Sequence, residues 1–203
     1  MVRPAPVTFN DETAKNNFIQ RDYRKDEGIR EGSTNGNNGS DEINRANGTD
    51  GTDKSRQAAV TEKMLVEFDA FVELLRRNDV DVTVVQDTPE PRTPNSHFPN
   101  NWFSSHLSGE LVLYPMFAEN RRQERKQRVL DLLRGKMNHR KVVDLTSWEE
   151  EGQFLEGTGS MVFDRRRRKA YCCRSPRSSE RVLADFCGRM RYDAVPFDAC
   201  DAE

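Results

Sequence analysis

Phe98-Pro99-Asn100-Asn101-Trp102-Phe103 and, further along, Phe154-Leu155-Glu156-Gly157-Thr158-Gly159-Ser160 are built alike. Each reads as a short apolar lead-in, a turn carrying polar groups, and then a β-hairpin. Asn100 and Asn101 are poor strand-interior residues and good turn residues. The two glycines beside Glu156 let the backbone bend tightly or approach a ligand closely. Singly, each stretch reads as an ordinary connection with a solvated acid or amide. Together they read as matching positions of a repeated unit, which decides the fold.

The residues downstream of each stretch support this. After the first, Trp102–Ser105 and Leu111–Tyr114 form a hairpin around Ser108-Gly109. A helix runs from Arg121 to about Gly135, with Val129, Leu132 and Leu133 on one face, and Lys141–Leu145 is the next strand. After the second, Met161-Val162-Phe163 pairs with Ala170-Tyr171-Cys172. Ser179 to about Met190 is a helix with Val182, Leu183, Phe186 and Cys187 inward, and Ala194–Phe197 is a strand. The order hairpin–helix–strand therefore occurs twice in full.

Upstream lies an incomplete third copy. Val2–Val7 is a proline-marked first or edge strand, and Phe9-Asn10-Asp11-Glu12-Thr13 feeds a short helical stretch through Gln20. Met64, Leu65, Phe68, Phe71, Val72 and Leu75 recur at helical spacing, predicting a helix from about Arg56 to Asn78. Asp81–Val85 is a strand, ended by Pro89, Pro91 and Pro94. Between Gly28 and Ser55, Gly, Asn, Ser, Thr and Asp dominate, and Ile29 and Ile43 are the only large apolar residues. Such a segment buries too little surface to offset its ordering entropy, so a disordered insertion is expected over 28–55. The chain reads as a single domain, 1–203, interrupted there.

Composition narrows the function classes. Charged residues make up 33% of the chain and net charge is −2, so nothing argues for general attraction to nucleic acid or membrane. The run Arg165–Arg168 lies at a hairpin turn, without aromatic interleaving, and reads as a solvated turn. No apolar run approaches the roughly 20 residues that span a bilayer. Met1-Val2-Arg3-Pro4-Ala5 lacks the apolar core of a signal peptide, so a cytoplasmic setting with reduced thiols is expected. Without secretion, the sequons at Asn38 and Asn47 are empty matches. Cys172, Cys173, Cys187 and Cys200 have no metal-type spacing, and neither a metal nor a cofactor is expected.

Met1-Val2-Arg3-Pro4, Phe9–Thr13, Phe98–Phe103, Tyr114-Pro115-Met116, Asn120-Arg121-Arg122, Phe154–Ser160 and Ser175-Pro176-Arg177 together resemble the amidinotransferase and arginine-deiminase superfamily, the penteins. The similarity is to its citrulline-hydrolase-like branch and to the N-terminal part of such proteins. The resemblance implies a five-unit α/β propeller with substrate in the central channel, of which this chain holds about three units. It implies C–N bond hydrolysis by a cysteine nucleophile on a guanidino or ureido carbon. A histidine serves as general acid/base, and acidic residues grip the substrate nitrogens.

No cysteine or histidine of the chain matches the family's catalytic pair. Cys172 and Cys173 fall in a hairpin strand, Cys187 on a helix core face, and Cys200 in an acidic tail. His106 belongs near a hairpin end, His139 in a helix–strand loop, and His97 just before the first loop. A structural or solvated role is expected for each histidine. Glu156 matches the family acid that pairs with substrate N–H groups; a carboxylate can accept two N–H bonds from a planar guanidinium or ureido group. Asn101 falls near a family aspartate, and an amide there suits a ureido carbonyl, which leans toward citrulline. Asn100, Phe98 and Gly157 complete the expected cradle; Asn10 and Asn16 are weighed for it too, with capping or turn roles favoured.

The expected function is therefore the N-terminal part of a guanidino/ureido-group hydrolase, binding a small molecule of the citrulline or arginine type and inactive alone. The alternatives are a non-catalytic module for such a ligand, or an incomplete gene product. An open partial ring would also favour self-association through its exposed edge.

Overall fold

The computed structural model describes residues 1–5, 10–14, 49–136 and 141–199. The expectations for Phe9, Asn16, His139 and Cys200 lie outside the described residues, as do those for 28–48. In chain order the elements are β1 (Val2–Arg3), α1 (Asp11–Ala14), α2 (Thr49–Arg77), β2 (Val85–Gln86), β3 (Phe103–Ser105) and β4 (Glu110–Leu113). Then come α3 (Glu119–Arg122), α4 (Gln127–Lys136), β5 (Lys141–Asp144), α5 (Gly157–Ser160), β6 (Met161–Asp164), β7 (Lys169–Cys173), α6 (Glu180–Met190) and β8 (Asp193–Phe197).

The repeat is present in the hydrogen bonding. β3 and β4 pair antiparallel, and β5 adds parallel to β4; β6, β7 and β8 repeat the pattern in a second sheet. β1 and β2 pair parallel around the upstream helices, the same relation without the hairpin strand. The result is a mixed α/β fold. Its described sheets are separate and form no closed barrel.

α4 and α6 each sit between sheets. Val129 and Leu133 of α4 pack with Leu111, Leu113, Trp102 and Met116, and Val85 of β2 lies against the same cluster. Val182, Leu183, Phe186, Cys187 and Met190 of α6 pack between Val112, Tyr114 and Val143 on one side and Met161, Ala170 and Cys172 on the other. Phe186 marks that middle position, with ring centroids 5.8 Å from Tyr114 and 5.5 Å from Phe163. Both faces of β4 are therefore buried, one strand serving two clusters through its alternation.

Four elements differ from the sequence expectation. α2 begins at Thr49, so 49–55 of the expected insertion are helical turns; extending an existing helix is easier than nucleating one. The strand expected at Asp81–Val85 is found at Val85–Gln86, the two residues that pair with Val2 and Arg3 of β1; ahead of them the Met1 amino group donates to the Thr83 carbonyl at 2.6 Å. The helix expected over Arg121–Gly135 is broken into α3 and α4. Two charged residues at the break are held by other segments: Arg125 by Glu149, and Lys126 by Asp87. Such tertiary anchors override helix propensity. Finally, the second loop is a single helical turn, α5.

Candidate functional site

The first loop is a 3-10 turn, Pro99–Asn101, whose end is fixed by Trp102, almost wholly buried. The second is α5, led in by buried Leu155, whose N–H donates to the Pro115 carbonyl at 3.1 Å. The two loops singled out by their sequence touch each other. Asn100 Nδ2 donates to Thr158 Oγ1 at 2.5 Å, and Asn101 Nδ2 donates to Glu156 Oε2 at 3.5 Å. A Cβ at Gly157 would stand 2.4 Å from the Asn100 carbonyl oxygen and 3.0 Å from that of Asn101. The close approach that glycine permits here is to the other loop's backbone. At Gly159 an added Cβ would meet the Asn101 side-chain nitrogen at 2.6 Å.

Glu156 lies at this junction and is 1% exposed. Its backbone is tied by Ser160, whose N–H donates to the Glu156 carbonyl and whose hydroxyl accepts from the Glu156 N–H. The carboxylate is neither solvated nor bonded to its own turn. It accepts instead from the Phe117 N–H at 3.2 Å, from Asn101, and from Arg177 Nη1 at 3.3 Å. All three contacts are at or beyond the long end of normal hydrogen bonds, so the carboxylate keeps acceptor capacity.

A strut braces the first loop. Arg121 Nη2 donates to the Phe98 carbonyl at 3.1 Å, and the same guanidinium is held by Glu124 at 3.0 and 3.1 Å. Both side chains are buried. Burial holds the Glu124 carboxyl above its ordinary value, against the pull of Arg121.

Of the expected site residues, Glu156, Asn101, Asn100 and Gly157 are brought together. The Phe98 side chain is 51% exposed, and its carbonyl is the part that is used. Asn10 is buried and exchanges amide bonds with Asn120 at 2.8 and 3.2 Å; its Oδ1 also accepts from the Thr13 N–H. That is a cap for α1 and a clamp to α3, the role favoured from its position. Arg177, the Phe117 N–H and the Arg121–Glu124 pair were not singled out as site groups. Arg177 and Arg121 did leave a sequence signal, since both lie in stretches that carry the family resemblance, Ser175-Pro176-Arg177 and Asn120-Arg121-Arg122.

The described cysteines and histidines carry no activated pair. Burial raises the thiol pKa of Cys172 and of Cys187 to about 11, which keeps both protonated near neutrality. His106 sits among Phe163, Phe186 and Tyr192 and bonds Ser104 Oγ at 2.9 Å. His97 is pushed down to about 4 by burial, with Arg121 adding to the shift. The folded protein thus holds it neutral while the unfolded chain takes a proton near pH 6.5. Stability is therefore expected to fall as pH drops from about 6.5 to about 4, by up to about 3 kcal/mol, and His97→Gln should flatten that limb. Urea melts of both proteins across this range check it.

Comparison with families of known proteins matches residues 34–203 to the model for N,N dimethylarginine dimethylhydrolase, eukaryotic. Comparison with curated proteins gives no match. Among solved structures, the chain is similar to a dimethylarginine dimethylaminohydrolase adduct with S-methyl-L-thiocitrulline, at 18% identity and a TM-score of 0.55, covering 70% of this chain and 52% of that one. It is similar to a Pseudomonas aeruginosa cysteine-to-serine mutant complexed with citrulline, at 19% identity and a TM-score of 0.54, with the same coverages. It is also similar to the N-terminal domain of ArgZ, an arginine dihydrolase from cyanobacteria, bound to substrate, at 18% identity and a TM-score of 0.54, covering 70% and 48%. The chain spans about half the length of these structures. No described helix is long and apolar enough to cross a membrane. With 34–203 matched and the fold shared, the chain belongs to the eukaryotic N,N dimethylarginine dimethylhydrolase family.

Proposed function

We propose that residues 1–203 form a single partial pentein-like domain of about three propeller units, interrupted ahead of α2, and that it carries the ligand half of a guanidino/ureido C–N hydrolase site. Its setting is the cytoplasm. Glu156 is the group that meets the ligand nitrogens, flanked by Asn101 and Asn100, with the Phe98 and Gly157 backbones shaping the cradle. The observation that supports this is a buried carboxylate at the contact of the two repeat-entry loops, held only by long bonds.

Arg177 already supplies one cation to that carboxylate. A guanidinium would compete with it, whereas a neutral ureido group donates two N–H bonds with no charge conflict. Citrulline is therefore favoured over arginine. The neighbours complexed with citrulline, with S-methyl-L-thiocitrulline and, for an arginine dihydrolase domain, with its substrate are consistent with that ligand class.

Cleavage of the ligand carbon needs an activated nucleophile beside a base. The described thiols and histidines do not form one, which supports a domain that binds ligand without turning it over. Ammonia release from citrulline and from arginine should stay at the buffer rate, while citrulline raises the melting temperature. Ammonia release that is abolished by substituting Cys172, Cys173, Cys187 or Cys200 overturns the claim of inactivity.

A further inference from the structure

We propose, on the reading of Glu156 as the ligand-binding acid, that Glu149 is a positioning residue for that site. It acts through Pro115–Phe117, the segment between β4 and α3, and sets the direction in which the Glu156 carboxylate meets a ligand.

Two consecutive peptide units of this segment are each held at both ends. In the first, the Pro115 carbonyl accepts from the Leu155 N–H at 3.1 Å, and the Met116 N–H donates to Glu149 Oε1 at 2.8 Å. In the second, the Met116 carbonyl accepts from Arg122 Nε at 2.9 Å, and the Phe117 N–H donates to Glu156 Oε1 at 3.2 Å. A peptide unit is planar and trans, so its C=O and N–H point in opposite directions. Whatever fixes the carbonyl therefore aims the N–H. Arg122 aims the Phe117 N–H in this way, and its Nη2 also donates to the Phe117 carbonyl at 3.2 Å. Glu149 fixes the unit before it.

Two carboxylates thus take successive N–H groups of one segment, and they are in opposite states. Glu149, in the 3-10 turn Thr146–Glu151, is satisfied by short bonds. Its Oε1 accepts from the Met116 N–H and from Arg125 Nη1, and its Oε2 from Arg125 Nη2, each at 2.8 Å. That is a bidentate pair with fixed geometry, and its two side chains are mostly buried. Glu156 holds its own donors at 3.2, 3.3 and 3.5 Å. Glu149 therefore serves as the anchor, and Glu156 keeps the acceptor capacity.

Among the described residues, the Phe117 N–H is the only hydrogen-bond donor to Glu156 Oε1, whereas Asn101 and Arg177 both donate to Oε2. The Phe117 N–H thus decides how the carboxylate is turned. Once that N–H swings away, both remaining donors hold Oε2, and the carboxylate can turn onto Arg177 as a two-pronged ion pair. That arrangement closes it to a ligand.

Two double variants that differ only at residue 149 test this. Arg125→Met with Glu149→Leu removes the acceptor of the Met116 N–H. Arg125→Met with Glu149→Gln removes the same ion pair but keeps a carbonyl acceptor. Neither leaves one charge of that pair buried without the other. In the Leu variant the Phe117 N–H should exchange with solvent about tenfold faster than in the wild type, the protection of roughly one hydrogen bond. Citrulline should bind it about tenfold more weakly by calorimetry. The Gln variant should stay within about threefold of the wild type on both counts. Exchange at Val112 in β4 and Leu183 in α6 reports overall stability and should be alike in the two variants. Equal Phe117 rates in the two variants overturn the proposal. So does a Leu variant in which Phe117, Val112 and Leu183 all accelerate together, since that is a merely structural role. A wild type that binds no citrulline is instead the failure of the Glu156 reading; it shows in the calorimetry alone, whereas failure of the part given to Glu149 shows in the Phe117 rates.

Discussion

Glu124→Gln should destabilise the protein by about 3–5 kcal/mol, and the loss should be far smaller when Arg121 is replaced with it. The reason is what remains behind. Arg121 and Glu124 are 4% and 1% exposed at their side chains, joined by two hydrogen bonds. Removing one partner leaves an uncompensated charge in the interior, whereas replacing both by apolar side chains of similar volume is often near neutral. Arg121→Met with Glu124→Leu should therefore recover most of the stability in a denaturant melt. It should not recover ligand binding, because the Phe98 carbonyl has lost the donor that braces the first loop. A double variant as unstable as the single would show that the pair is held by more than its mutual attraction.

The second large effect is expected at Gly157. Its backbone φ is not in the left-handed region, so no conformational argument demands glycine there. Space does. An added Cβ at 2.4 Å from the Asn100 carbonyl oxygen and 3.0 Å from that of Asn101 meets backbone, which cannot rotate away as a side chain can. Gly157→Ala must push the two loops apart. That shift also lengthens the bond from Asn101 to Glu156, already 3.5 Å. We expect a loss of about 2–4 kcal/mol, in the range of overpacking and strain, and loss of measurable ligand binding. Gly159→Ala is the comparison. Its added Cβ meets the movable end of the Asn101 side chain, so it should cost less stability while still disturbing Asn101. Equal effects of the two substitutions would mean that the loops are not locked at Gly157.

Much of this was legible in the sequence because it rests on short-range pattern. The hairpins, α6 and the parallel return strands come from alternation and helical spacing, and the pairing of the two entry loops from their likeness. The features that were not legible depend on partners far along the chain. The break between α3 and α4 is set by Glu149 and Asp87, which no local propensity reveals. The length of β2 is set by where β1 lies opposite it. Arg177 reaches Glu156 across the fold, and the Phe117 N–H does so as a backbone group, which carries no residue-type signal. The role of Gly157 was half legible: the need for close approach was visible, but not that the neighbour is Asn100 rather than a ligand.

The central claim is that Glu156, at the contact of the two loops, binds a ureido or guanidino ligand. Calorimetric titration of citrulline and of arginine into the wild type and into Glu156→Gln tests it most directly. Weak binding to the wild type is expected, tighter for citrulline, with no heat from the variant while its fold persists. No binding to either protein, together with a lower melting temperature for Glu156→Gln, would contradict it and leave Glu156 as a group that only orders the junction.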